Sequence, residues 1–238
     1  MKPSKRLVGR PQSCDNDAVA TIRKGQAVPR GAVTGSPNGA LGSQRRADMV
    51  SIAAELFAQK GYRATTVREI ADAAGILSGS LYHHFDSKES IADEILSGFI
   101  NEVLADYRNA LDSAPDPKAA LEQIVRSTGL TLSRHRAALA MLQNDWNYFA
   151  GQARFAYLSK ALRELERIWI EQLELGKRAG LFRPDLDAKL TYRLLRDVLW
   201  VPTQWRRTRG YTTEQVVDGF LKVLFDGISV SAPGSASP

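Results

Sequence analysis

The chain has 238 residues, 44% of them hydrophobic, and a formal net charge of +6. That length supports one large domain or two modest ones around a buried core. No run approaches the roughly eighteen consecutive apolar residues of a membrane-spanning helix. The basic start MKPSKRLVGRPQSCDNDAV has no apolar stretch behind it, so it does not read as a secretory signal.

Residues 1–42 hold seven basic side chains (Lys2, Lys5, Arg6, Arg10, Arg23, Lys24, Arg30) against Asp15 and Asp17, which leaves only +1 for the rest of the chain. The same segment contains six of the 18 glycines and four of the 10 prolines. With few large apolar residues it cannot bury enough surface to offset its ordering entropy, so a disordered extension is expected. It reads either as a basic arm that touches phosphate or as a solvated leader. The lone Cys14 excludes an internal disulfide and fits a reducing, cytoplasmic setting.

From Ser43 helical periodicity begins: Val50, Ala53, Ala54, Phe57 and Ala58 recur on one face until Gly61. A second helix is predicted over 67–74, capped by Thr65 or Thr66, with Glu69 placed as in a capping box. Gly75 ends it, and a short third helix follows over 78–84. Ser87 suits the N-cap of a long helix over 88–111, bounded by Pro115-Asp116-Pro117. Beyond it, helices are predicted over 118–133, 137–149, 153–179, 188–205 and 213–228. No alternating strand pattern and no repeat is present, and 231–238 (ending SAPGSASP) reads as an unstructured tail. The fold class is all-α, about nine helices, with a three-helix domain at 43–90 and a larger helical domain at 91–230.

The segment TTVREIADAAGILSGSLYHHF carries the chemistry of a helix-turn-helix: a bracing helix, a tight turn, and a reading helix with small side chains at its start. Val67, Ile70 and Ala71 are expected to face inward, and Ala74 allows close helix approach. Ile76 and Leu77 are expected to enter the core, with Leu81 and Phe85 anchoring the reading helix. Ser78, Gly79 and Ser80 would let its backbone approach a major groove, leaving Tyr82 and His83 outward for phosphate or base edges. Lys88 is a natural phosphate partner. The stretch 43–90 has six basic and six acidic residues, so this reading rests on the motif and not on charge. His83-His84 lacks a carboxylate or cysteine cluster at ligand spacing, and no metal is expected.

These residues resemble the TetR family of bacterial repressors. Its signature appears as Thr65-Thr66-Val67, Ile70-Ala71 with Ala74-Gly75, Tyr82 with Phe85, and Lys88-Glu89; helix one matches through Ala53-Ala54-Glu55-Leu56-Phe57 and Gly61-Tyr62. The resemblance implies DNA contacts from Arg45, Arg46, Thr65, Thr66, Arg68, Ser78, Gly79, Ser80, Tyr82, His83 and Lys88. It also implies a homodimer on a palindromic double-stranded operator, with the C-terminal helices supplying dimerisation and an effector cavity. Within the family, GILSGSLYHHF, RPDLD and RDVLW are similar to an actinobacterial member. That member represses genes for degrading the last (C and D) rings of cholesterol and is released by a CoA thioester of a steroid-ring fragment.

In the body, Trp169 with Arg163 and Arg167 suits an apolar ligand bearing an anionic portion, and Trp146, Tyr148 and Asp145 are further candidates. Leu194, Val198, Val201 and Trp205 on one helix, with Val217, Phe220, Leu221 and Leu224 on the next, suit a four-helix interface between subunits. Pro202 is expected to kink the first of these. No cofactor is expected beyond the effector. The alternatives are a repressor sensing another lipophile, such as a fatty acyl-CoA or a drug, and an acyl-CoA-binding helical enzyme. No nucleophile–base pair, carboxylate dyad or metal-ligand set supports the enzyme.

Overall fold

The computed structural model describes residues 37–199 and 210–228, with side chains described from residue 42 onward. Val201, Pro202, Trp205, the segment up to residue 36 and the end at 231–238 therefore lie outside the described residues. Among those described, every regular element is helical.

Helix α1 (Pro37–Lys60) begins inside the stretch expected to be an extension and ends at Gly61, whose φ of +87° only glycine adopts readily. Helix α2 (Val67–Ala73) is opened by Thr66 alone. Its hydroxyl accepts the Glu69 N–H at 3.2 Å while the Glu69 carboxylate accepts the Thr66 N–H at 2.8 Å. Gly75, at φ +66°, closes α2 in a Schellman turn: its N–H donates to Asp72 O at 3.1 Å, and that of Ile76 to Ala71 O at 3.0 Å. Helix α3 (Ser78–Tyr82) is thereby set at an angle to α2 and pinned by buried Leu81.

Ser87 caps α4 (Lys88–Ser113), whose 26 residues span about 39 Å. Its first turns pack on α1, and its buried residues, from Ile91 through Phe99 to Tyr107, continue into the body. Helix α5 (Pro117–Arg134), capped by Asp116, is followed by α6 (Arg136–Asn144). The helix expected over 137–149 is broken: Asp145, at φ −116° and ψ 20°, ends α6 and a separate turn of helix, α7 (Trp146–Ala150), follows. A 3₁₀ turn at Ala153–Phe155 leads into α8 (Ala156–Arg178). Gly176 is required there, because a Cβ would lie 2.2 Å from the Phe182 ring. Helices α9 (Ala188–Leu199) and α10 (Thr213–Ile228) complete the body.

One apolar cluster runs from Met49 and Phe57 through Phe99 and Tyr107 to Trp169 and Leu224. Packing does not stop near residue 90, because α4 belongs to both halves and α1 rests on α6. The expected division into domains at 43–90 and 91–230 is thus one of role, with a shared core.

Candidate nucleic-acid interface and effector cavity

The exposed face of the α2–α3 unit carries Arg68, Gly79, Tyr82 and His83, with Ser78 and Ser80 half-buried; Arg45 is exposed on α1. Arg68 sits 3.9 Å from Asp72, both largely solvated, an exposed pair too weak to hold the guanidinium from another anion. Tyr82 is 54% exposed.

Five expectations require correction. Thr65 is fully buried, and its hydroxyl donates to Gly61 O at 2.9 Å, so it builds the loop and cannot meet DNA. The Thr66 hydroxyl is engaged with Glu69, whose carboxyl is held at about 2, chiefly by Lys60 at 2.7 Å. Arg46 chelates Glu94, with contacts of 2.6, 3.1 and 3.2 Å, donates to His84 O, and lies 4.1 Å over the Phe85 ring. It is a strut between α1, α4 and the end of the reading unit. Lys88 donates to the carbonyls of Tyr62 at 2.9 Å and Thr65 at 2.8 Å and rides 4.5 Å above the Tyr62 ring. Its ammonium is spent on the loop after α1, and burial lowers its pKa. Leu77 does not enter the core; it is 80% exposed at the head of α3.

Behind this head, the Tyr62 N–H donates to Asp145 Oδ2 at 2.8 Å. The Tyr62 ring packs 5.1 Å from Tyr148 and 5.0 Å from Phe149, and burial, followed by nearby Glu89, pushes its hydroxyl pKa upward. Tyr148, expected at a ligand, instead serves this junction, with its hydroxyl 3.4 Å from Glu89.

A cavity of about 560 Å³ opens beside the same corner. Leu142, Trp146, Leu162 and Tyr192 supply apolar wall; Gln143, Ser159, Arg163, Glu166 and Arg196 supply polar groups. Arg163 and Trp146 were expected here. Trp169 was too, but it is 2% exposed and is not part of the lining; its Nε1–H donates to the buried Tyr107 hydroxyl at 2.9 Å. It stands behind Tyr192, with ring centroids 6.3 Å apart. Arg167 is not part of this lining; bound to Glu164 at 2.8 Å and Glu171 at 2.7 Å, it lines with Arg163 a second cavity of about 490 Å³ between α4 and α8. Sequence reasoning passed over Glu166, Tyr192 and Arg196; the last two share a face one turn apart, a signal that α9 is not interface alone.

Leu190, Leu194 and Val198, spaced four apart on α9, are exposed, as is Val223 on α10, and Phe220 is half-buried. Val217, Leu221 and Leu224, expected in the interface between subunits, are instead buried within the chain, where α10 packs on α5, so they belong to its own core.

Comparison with known proteins agrees with this geometry. The family model described as "Bacterial regulatory proteins, tetR family" matches residues 50–95, and "Tetracyclin repressor-like, C-terminal domain" matches 114–228. The chain is 45% identical over 188 residues to the HTH-type transcriptional repressor KstR2 of Rhodococcus jostii (strain RHA1), covering 79% of this chain and 92% of that protein. It is 41% identical over 188 residues to KstR2 of Mycobacterium tuberculosis, covering 79% and 94%. The solved structure of that ketosteroid transcriptional regulator superposes with a TM-score of 0.75, covering 79% of this chain and 96% of the other.

Proposed function

The chain belongs to the TetR family of bacterial transcriptional regulators, and on that footing we propose that it is a dimeric, cytoplasmic repressor released by a CoA thioester of a steroid-ring fragment. It is a TetR-type repressor homologous to KstR2, and its relatives are regulators, not enzymes. What is proposed is the effector, its site, the dimer and the coupling between them.

The observation that carries the effector reading is the 560 Å³ cavity, whose lining joins four apolar side chains to Arg163 and Arg196. Fused rings are rigid and apolar, so Leu142, Trp146, Leu162 and Tyr192 can enclose them at little entropic cost. The two guanidinium groups of this lining, Arg163 and an Arg196 weakly paired with exposed Asp197 at 2.7 Å, suit a thioester carrier rich in phosphate. The similarity to a ketosteroid transcriptional regulator supports the fused-ring part of this reading.

Coupling follows from the corner between α6 and α7. Leu142, Gln143 and Trp146 face the cavity, whereas Asp145, Tyr148 and Phe149 hold the loop after α1. A ligand pressing on Trp146 therefore acts on the residue beside the Asp145–Tyr62 bond. Helix α4, anchored to the same loop through Lys88, carries the displacement along the head. Ligand and DNA thus favour different arrangements of one element, the requirement for linkage. The exposed Leu190, Leu194 and Val198 face, paired about a two-fold axis, sets two reading helices about 34 Å apart for successive major grooves.

The test is fluorescence anisotropy on duplex DNA from upstream of the protein's own coding region, titrated with a CoA thioester of a fused two-ring steroid fragment. Release is expected with the thioester and not with its free acid or with CoA. Release by palmitoyl-CoA at equal or lower concentration would transfer the reading to a fatty acyl-CoA sensor.

A further inference from the structure

Leu77 occupies a position that serves neither the stability of α3 nor the core. It is the N-cap of the reading helix, yet no side chain satisfies a free N–H there, and leucine ranks among the least favourable caps. Its isobutyl group, 80% exposed, is the most solvated large apolar side chain among the described residues.

The backbone around it is held firmly. The Ile76 N–H donates to Ala71 O at 3.0 Å, and Leu77 O accepts from Ser80 N at 2.9 Å and Leu81 N at 3.3 Å. Ile76 on one side is packed and Leu81 on the other is buried. The direction of the Leu77 side chain is therefore fixed by the fold, with no route into the core. Next to it stand Ser78, Gly79 and Ser80, which leave space around it.

We propose that Leu77 is a base-reading residue, contacting the 5-methyl group of a thymine in the major groove. The inference rests on the DNA-binding reading above. Of the marks a base pair offers in that groove, only the thymine methyl is apolar, and it is read by apolar side chains. A leucine leaving water against a methyl gains where a serine cap would not. The choice of leucine thus trades helix capping for discrimination of A·T from G·C. Five residues separate Leu77 from Tyr82, about 7.5 Å along a helix, so the thymine lies roughly two base pairs from the position under Tyr82.

The experiment uses the full chain and the shortest duplex selected by it from a random-sequence pool, in which each thymine is replaced in turn by deoxyuridine, removing only the methyl. Wild type is expected to lose about fourfold in affinity at one thymine per half-site, the worth of one buried methyl-sized group. Leu77→Ala, which removes the contact from both half-sites of the dimer, should bind the parent duplex about sixteenfold more weakly and be indifferent to that replacement. Leu77→Ser, which restores a capping hydroxyl, should melt at or above the wild-type temperature and show the same indifference. An unchanged uracil profile in Leu77→Ala and Leu77→Ser, or a wild type indifferent to every replacement, would overturn the inference while leaving DNA binding intact. If wild type selects no duplex at all, the proposed function fails and this inference with it.

Discussion

Asp145 and Tyr62 lie 83 residues apart and share one hydrogen bond, from the Tyr62 backbone N–H to the Asp145 carboxylate at 2.8 Å. The bond explains why the sixth helix stops where it does. A carboxylate must turn toward the loop after α1, and the backbone at Asp145 leaves helical geometry to allow it. It also joins the side of the molecule that reads DNA to the residue next to Trp146 in the cavity wall.

Replacing Asp145 with alanine leaves the Tyr62 N–H without its partner, at a cost of about 1–3 kcal/mol in unfolding free energy. The variant is expected to bind effector with wild-type affinity but to respond with less than threefold loss of operator affinity. Parallel titrations of effector and operator measure the two quantities. A full wild-type release by effector would show that the corner does not transmit.

Cations that touch DNA phosphates and cations that hold the head together differ in salt dependence. Arg45→Ala and Arg68→Ala are each expected to reduce the slope of log K against log [salt] by about 1.8 for the dimer, about 0.9 for the phosphate lost from each subunit. Arg46→Met and Lys88→Met should instead lower the melting temperature and leave the slope of the folded protein unchanged, since both side chains are engaged within the chain. A slope change in Lys88→Met would return it to the phosphate contacts.

At the cavity, Arg163→Ala and Arg196→Ala are each expected to weaken the thioester about 10- to 100-fold, as loss of a charged hydrogen bond does. Operator affinity without effector should be unaltered. Arg167→Ala, whose guanidinium faces Glu164 and Glu171, should bind effector as wild type does. Isothermal titration calorimetry on the three variants distinguishes these outcomes.

The exposed α9 stripe gives a test of assembly. Leu194→Glu buries a charge in any symmetric contact through that face, and light scattering is expected to find a monomer with wild-type helicity and operator affinity reduced at least tenfold. A dimer that survives Leu194→Glu would move the interface elsewhere.

Much of the fold was legible because its signals are local. Ser87, Asp116 and Gly75 act within a turn of their own position, and α10 begins and ends where its periodicity does. The helix-turn-helix was legible for the same reason, as an ordered string of caps, small residues and anchors. The break at Asp145 was not, because its cause lies in the loop after α1. Leu77 was misplaced because alternation toward the core cannot reveal where a Schellman turn leaves the next side chain.

The sequence by itself determined an all-helical chain with a reading unit at 65–88 and an amphipathic body, since helix caps, glycine turns and apolar period depend on neighbours within a few residues. Only the tertiary structure decided which polar groups are free to act. Arg46 and Lys88 look like Arg45 and Arg68 in sequence, yet Glu94 and the Tyr62 and Thr65 carbonyls take them up. Trp169 looks like a ligand residue, yet Tyr107 engages it behind the wall, and Arg167 pairs with Glu164 and Glu171 outside a lining that includes Arg163 and the Asp197-paired Arg196. Charge and hydrogen-bonding capacity are properties of a residue; their availability depends on what the fold brings opposite.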